Sequence, residues 1–180
     1  MYLRLLLLRA RARRRGPLSV WDTARTPMRV GLRDLDLLRH VNNGTYLTML
    51  DLGRLDLLTR SGFWATITAK GWYPVVAGQT ITYRRSLTWG QSFDLCTRIL
   101  GFHDRWVYVE QTFCRGDVVH AQAIVRARFL RRSGGTVDSE EIRAISGDAP
   151  DDRSVPGWVQ AWSVQSRVVG EEFRPANLDA

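Results

Sequence analysis

A chain of 180 residues with 44% apolar and 24% charged side chains can bury one core, and its composition excludes a disordered or low-complexity protein. Its formal charge of +8 is concentrated at one end: Arg4, Arg9, Arg11, Arg13, Arg14 and Arg15 meet no acid in the first fifteen residues, and taking those six away leaves +2 for the rest. A short basic run with no recognisable nucleic-acid motif, and no face of interleaved basic and aromatic residues, argues against nucleic acid as a partner.

In chain order, residues 1–15 carry four consecutive leucines, Leu5 to Leu8. A bilayer needs about 20 apolar residues, and most of the charge follows the run instead of preceding it, so neither a membrane span nor a secretory signal is expected. The segment reads as an amphipathic helix packing Leu3, Leu6 and Leu7 on the body, or as a peripheral contact with an anionic membrane surface. Gly16-Pro17 ends it. The segment 1–25 is expected to precede a single domain over 26–170, with a frayed tail at 171–180.

Residues 26–33 alternate as a first strand. A helix is predicted over 43–60, with Asn43 as its N-cap. Tyr46, Leu47, Leu50, Gly53, Leu57 and Leu58 share one face, and Asp51/Arg54 and Asp56/Arg60 are spaced to pair on the other side. Gly53 costs about 1 kcal/mol against Ala in a helix, and close approach to a sheet is the expected return. A helix this apolar belongs inside a concave sheet. Ser61-Gly62 stops it.

Four strand-length runs follow, over 73–89, 91–103, 105–115 and 117–131, separated by Trp89-Gly90, His103-Asp104 and Gly116-Asp117. Connections this short imply antiparallel pairing. Ser133-Gly134-Gly135 ends the sheet, 146–156 is a surface loop, and Pro156 to Val168 reads as a last helix with Trp158 and Trp162 one turn apart. Cys96 and Cys114 lie in strand-like sequence without metal-ligand spacing. They read as buried thiols of a reducing cytoplasm, and no disulfide follows from two lone cysteines. His103 and His120 are not spaced as ligands with His40, so no metal is expected.

The stretch 34–46, DLDLLRHVNNGTY, gathers two acids, a histidine and two asparagines just before the long helix. Taken singly, Asp34 and Asp36 read as acids that satisfy loop backbone or pair with Arg33 or Arg39. His40 reads as a structural hydrogen-bonder, and Asn43 as a cap. Together they resemble the D-x-D-x-x-x-H-V-N-N-x-x-Y signature of acyl thioesterases of the 4-hydroxybenzoyl-CoA thioesterase-like group. The match is best for the thioesterase superfamily member six type. It extends through residues 84–113 and the tryptophans at 158–162, covering about residues 1–170.

That resemblance implies an α+β hotdog fold: about five antiparallel strands wrapped around one long central helix, with N- and C-terminal helices. It implies a homodimer or dimer of dimers with the site at the dimer interface; the expected location is the cytoplasm, with peripheral contact at the membrane left open. Asp36 matches the catalytic carboxylate, acting on water as a base or directly as a nucleophile. His40, and Asn42 or Asn43 through an amide, would orient Asp36 or water. The expected substrate-binding set is Asn43, Gly44 and Tyr46, with helix-start N–H groups at Asn43 and Gly44 holding the thioester oxygen. The substrate would be a medium- or long-chain, or aromatic, acyl-CoA; no prosthetic group is implied, since CoA arrives as part of the substrate. Leu38 departs from the asparagine usual in plant-type acyl-ACP thioesterases, which argues against an acyl-ACP substrate. No G-x-S-x-G elbow is present, so a serine-hydrolase mechanism is excluded. The alternative is a non-hydrolytic acyl- or lipid-binding hotdog protein at a membrane surface.

Overall fold

The computed structural model describes residues 15–166. The amphipathic segment expected over residues 1–15, apart from Arg15, and the tail at 171–180 lie outside the described residues. Five strands form one sheet: β1 (Ala24–Arg29), β2 (Trp72–Tyr83), β3 (Ser92–His103), β4 (Trp106–Arg115) and β5 (Val118–Arg131). Their order is β1-β3-β4-β5-β2, and every neighbouring pair is antiparallel. The β3–β4 and β4–β5 links are tight turns, which require left-handed backbone at Asp104 (φ 55°) and Gly116 (φ 57°). β1 and β2 are the two edges.

The central helix, α1 (Asn43–Arg60), lies across the concave face. It buries Tyr46, Met49, Leu50 and Leu57 against inward-facing side chains such as Leu95, Phe113 and Val125. Gly53 is where helix and sheet come closest. A Cβ there would stand 2.7 Å from Leu95 Cδ2, 2.7 Å from Thr97 Oγ1 and 2.8 Å from Gln111 Nε2. The expected exchange of helix propensity for close approach is therefore realised.

Polar groups are also taken into this interface, each with partners. Gln111 donates from Nε2 to the Leu50 carbonyl (2.9 Å) and to Thr97 Oγ1 (3.0 Å), and its Oε1 accepts from Arg54 (2.7 Å). Arg54 also pairs with Asp51, as its spacing predicts. Burial lowers the Arg54 guanidinium pKa from its ordinary value, and Asp51 opposes that. Asp56 corrects the expectation of a solvated pair. It is fully buried, accepts from Thr26 Oγ1 (2.8 Å), lies 3.7 Å from Arg60 and is ion-paired with Arg15.

Several boundaries differ from those predicted. The first strand spans 24–29 and not 26–33, because the chain leaves the sheet at Val30 for a short 3₁₀ turn, Leu32–Asp34. The run predicted over 73–89 leaves its partner strand after Tyr83, and residues 84–91 form a connection. Two short helices were not foreseen: α2 (Phe63–Ala69), packed against α1 and β2, and α3 (Ser139–Ser146). The last helix, α4 (Gly157–Gln165), lies on the outward face of the sheet over Leu100, Trp106, Tyr108 and Ile124. It is held there by Tyr108 donating to Ser163 Oγ (2.7 Å) and by buried Arg126, whose guanidinium stacks near Trp106 and Trp162 and donates to the Ser163 carbonyl. Cys96 and Cys114 are free and half-buried, more open than the buried thiols expected.

Candidate active site

Residues 31–46 carry the chain from the 3₁₀ turn into α1, and their geometry follows from a few side chains. Asp34 is buried and accepts the Gly31 N–H on Oδ2 (2.7 Å), while its carbonyl accepts the Asn42 N–H (2.8 Å). Asp34 thus satisfies loop backbone, the plainer of the two roles open to it. Between these contacts Leu35 bridges Val41, and the Asp36 N–H donates to the His40 carbonyl (2.8 Å). The reversal is closed by Arg39 in left-handed backbone, φ 61°.

The carboxylate of Asp36 sits at the mouth of that reversal, half-buried. Its Oδ1 accepts two backbone N–H groups, from Leu38 (2.9 Å) and His40 (3.1 Å). Its Oδ2 has no partner among the described residues, and no ion pair with Arg33 or Arg39 forms. The loop therefore orients the acid through one oxygen and leaves the other facing solvent. The His40 ring is exposed. Its backbone bridges Thr88, and next to it the Val41 N–H donates to the Leu87 carbonyl (2.9 Å), so segment 84–91 braces the loop.

The helix start differs from expectation by one residue. Asn42, in extended backbone (φ −60°, ψ 139°), is the N-cap, and its Oδ1 accepts the Gly44 N–H at 2.8 Å. Asn43 is the first helical residue and not the cap. The cap occupies the Gly44 N–H expected to hold a thioester oxygen. The Asn43 N–H has no partner among the described residues and remains available at the positive end of the helix. Tyr46 points into the core. Its ring stands edge-on to Tyr83 (5.1 Å between centroids) and Phe113 (4.9 Å), and burial raises its phenol, partly opposed by a hydrogen bond from the Leu87 backbone. It shapes the floor beneath the loop.

Two features escaped sequence reading. Leu32, Leu37, Leu38 and Trp89 stand exposed around the Asp36 turn, which gives a polar site an apolar surround. Two leucines inside a polar loop, outside any helical or strand period, were the available signal. The second feature is where the chain's cavities lie. Three cavities among the described residues, of about 790, 230 and 60 Å³, are lined by residues outside 34–46. Asp36, His40, Asn42 and Asn43 are brought together at one end of α1, on a surface that a single chain leaves open.

A five-stranded antiparallel sheet curled around one long helix defines a hotdog domain. Residues 30–163 match the model of the Thioesterase-like superfamily, and the chain belongs to that family. Among its relatives, a protein of Danio rerio called Protein THEM6 is 33% identical over 147 residues, covering 80% of this chain and 72% of its own length. Protein THEM6 of Xenopus laevis is 40% identical over 102 residues, 56% of this chain, so the match spans about half (49%) of that relative. Among solved structures, YbaW, a probable thioesterase from Escherichia coli, superposes with a TM-score of 0.64 at 24% identity, over 68% of this chain and 96% of that one.

Proposed function

We propose that this protein hydrolyses an acyl-CoA thioester, with Asp36 as the catalytic carboxylate. The observation that carries this reading is the division of labour within that side chain: Oδ1 is fixed by two backbone N–H groups and Oδ2 is unengaged. A general base must be oriented yet keep a lone pair for the proton it takes, and this arrangement supplies both. In the reaction Oδ2 takes a proton from water as the water oxygen bonds to the thioester carbonyl. The Asn43 N–H and the helix start stabilise the negative oxygen. The C–S bond then breaks, and the departing thiolate takes the proton, giving free acid and CoA. Direct attack by Oδ2 starts from the same geometry, and incorporation of ¹⁸O from water into Asp36 in a single turnover distinguishes it. His40, exposed beside the acid, is positioned to orient water or substrate, and Asn42 acts by capping the helix that presents Asn43.

Exposed Leu37, Leu38 and Trp89 support an apolar acyl group, a medium or long chain or an aromatic ring. The surface becomes a pocket once a second copy covers it. β2 supports that second copy: it is a twelve-residue edge strand with Tyr73, Val76 and Tyr83 part-exposed, and Tyr83 touches Tyr46 at the start of α1. Pairing of two β2 edges would bring the partner to the Asp36 end of the helix.

The test is turnover of an acyl-CoA panel by wild type and Asp36→Ala. A fall of at least about a hundredfold is expected, equivalent to roughly 2.7 kcal/mol of transition-state stabilisation; comparable turnover by the variant removes Asp36 from the chemistry. A non-hydrolytic acyl-binding protein is the second reading, favoured by the exposed apolar side chains of Leu37, Leu38 and Trp89 around the loop. Acyl-chain binding without turnover by the wild type would establish it. No helix among the described residues is long and apolar enough to cross a membrane. Peripheral contact through residues 1–15 is tested by deleting them and measuring partition onto anionic vesicles.

A further inference from the structure

A cavity of about 790 Å³ opens at the end of the sheet where β3 begins and β4 ends. It shares segment 84–91 with the Asp36 loop: Arg85 lines the cavity, and Leu87 and Thr88 hold Val41 and His40. We propose that this cavity binds a phosphorylated small molecule of nucleotide size. The inference does not depend on the hydrolase reading.

Three arginines, Arg29, Arg85 and Arg115, line the cavity together with one acid, Asp94. Their placement is fixed in advance. Arg29 donates from Nε to the Gly90 carbonyl (3.0 Å) and Arg115 from Nε to the Ser92 carbonyl (3.2 Å), so both guanidinium planes are set by backbone. The terminal nitrogens of Arg115 have no partner among the described residues. The root of Arg85 is held at three points by buried His120. The His120 carbonyl accepts the N–H groups of Arg84 (2.8 Å) and Arg85 (3.0 Å), and His120 Nδ1 lies 3.2 Å from the Arg85 carbonyl. A carbonyl only accepts, so Nδ1 carries the proton in that contact.

Forked guanidinium donors match phosphate oxygens two at a time, and anchoring them beforehand lowers the entropy lost on binding. The volume sits within the range of small-molecule sites, roughly 300–1,000 Å³. That leaves room for more than an inorganic ion, and Pro27 and Val118 supply apolar wall for the remainder of the ligand. A free nucleotide and the nucleotide end of CoA present the same phosphate chemistry.

Calorimetric titration of the full chain with adenosine 3′,5′-bisphosphate, pyrophosphate and adenosine separates these contributions. Saturable 1:1 binding of the bisphosphate is expected, with adenosine weaker by at least about tenfold, and with a loss of about tenfold or more in Arg85→Ala and in Arg115→Ala. Both arginines are exposed, and unchanged thermal unfolding of each variant guards against loss of fold. Pyrophosphate binding alone supports the phosphate site and removes the nucleoside from it. Absence of saturable binding by any phosphorylated probe, or binding unaffected by both substitutions, overturns the proposal. Asp36→Ala should bind the bisphosphate as wild type does. A chain that binds it but cleaves no thioester loses only the hydrolase reading, and one that cleaves thioesters without binding it loses only this one.

Discussion

Helix α1 carries two polar clusters of opposite character. Along its carboxyl half, Asp56, and Gln111 of β4 facing the helix, are fully buried, and both ends of each side chain are engaged, by Thr26, Arg15 and Arg60 in one case and by Leu50, Thr97 and Arg54 in the other. At its amino end, Asp36 keeps one oxygen unengaged, the Asn43 N–H is unmatched and the His40 ring faces solvent. Burial forces polar groups to find protein partners, whereas groups that water can reach are free to wait for a ligand. The same residue type, aspartate, is therefore cement at position 56 and left with an open oxygen at position 36.

The comparison breaks most visibly at Asp56. Asp56→Ala leaves Arg60 and Arg15 facing a buried void, and a loss of about 3–5 kcal/mol in urea unfolding is expected, against a far smaller loss for Asp36→Ala. Equal losses at the two positions would erase the distinction. Next comes Gly53→Ala, whose new methyl meets Leu95 and Thr97 at 2.7 Å, for a cost of about 1–3 kcal/mol by the same measurement. A stabilised variant would mean that the helix can lift off the sheet.

Asn42→Ala removes the cap from the Gly44 N–H and should cost about 1 kcal/mol. Its thermal midpoint should fall less than that of Gly53→Ala, because the cap is solvent-exposed. The smallest effect is expected on the alkaline side. Burial raises the phenols of Tyr46 and Tyr83 above their ordinary value, so the folded state holds those protons longer than the unfolded chain. Stability from this source is complete below about pH 10 and is lost as pH rises through the raised folded values. Melting temperatures measured from pH 8 to 11 should decline, and Tyr46→Phe should flatten the decline.

Which of these features the sequence discloses depends on whether it encodes a local cost. Gly53 is legible because glycine inside an apolar helix needs a return, and only a close neighbour supplies one. Asp56 is not, since an Asp four residues before an Arg looks the same on a solvated face as in a buried triad with Thr26 and Arg15, residues thirty and forty-one positions away. Asn42 and Asn43 are equally good caps by type. The choice falls to Asn42 because its backbone is extended and its N–H is already claimed by Asp34. α2 and α3, of seven and eight residues, are too short for periodicity to speak, although Asp138 and Glu141 carried a capping signal for α3. The loop's chemistry is legible as a set of residues at a spacing. Its openness is not, because the accessibility of Oδ2 and the exposure of Leu37 depend on what the loop packs against.

The Arg15–Asp56 pair has a consequence for geography. It tethers the arginine-rich leader at a spot fourteen residues along α1 from the Asn42 cap, which at 1.5 Å per residue is about 21 Å away down the axis. That mooring is well separated from the mouth at Asp36. A lipid surface proposed to meet the basic residues and a thioester proposed to meet the acid would then have separate berths on one rod.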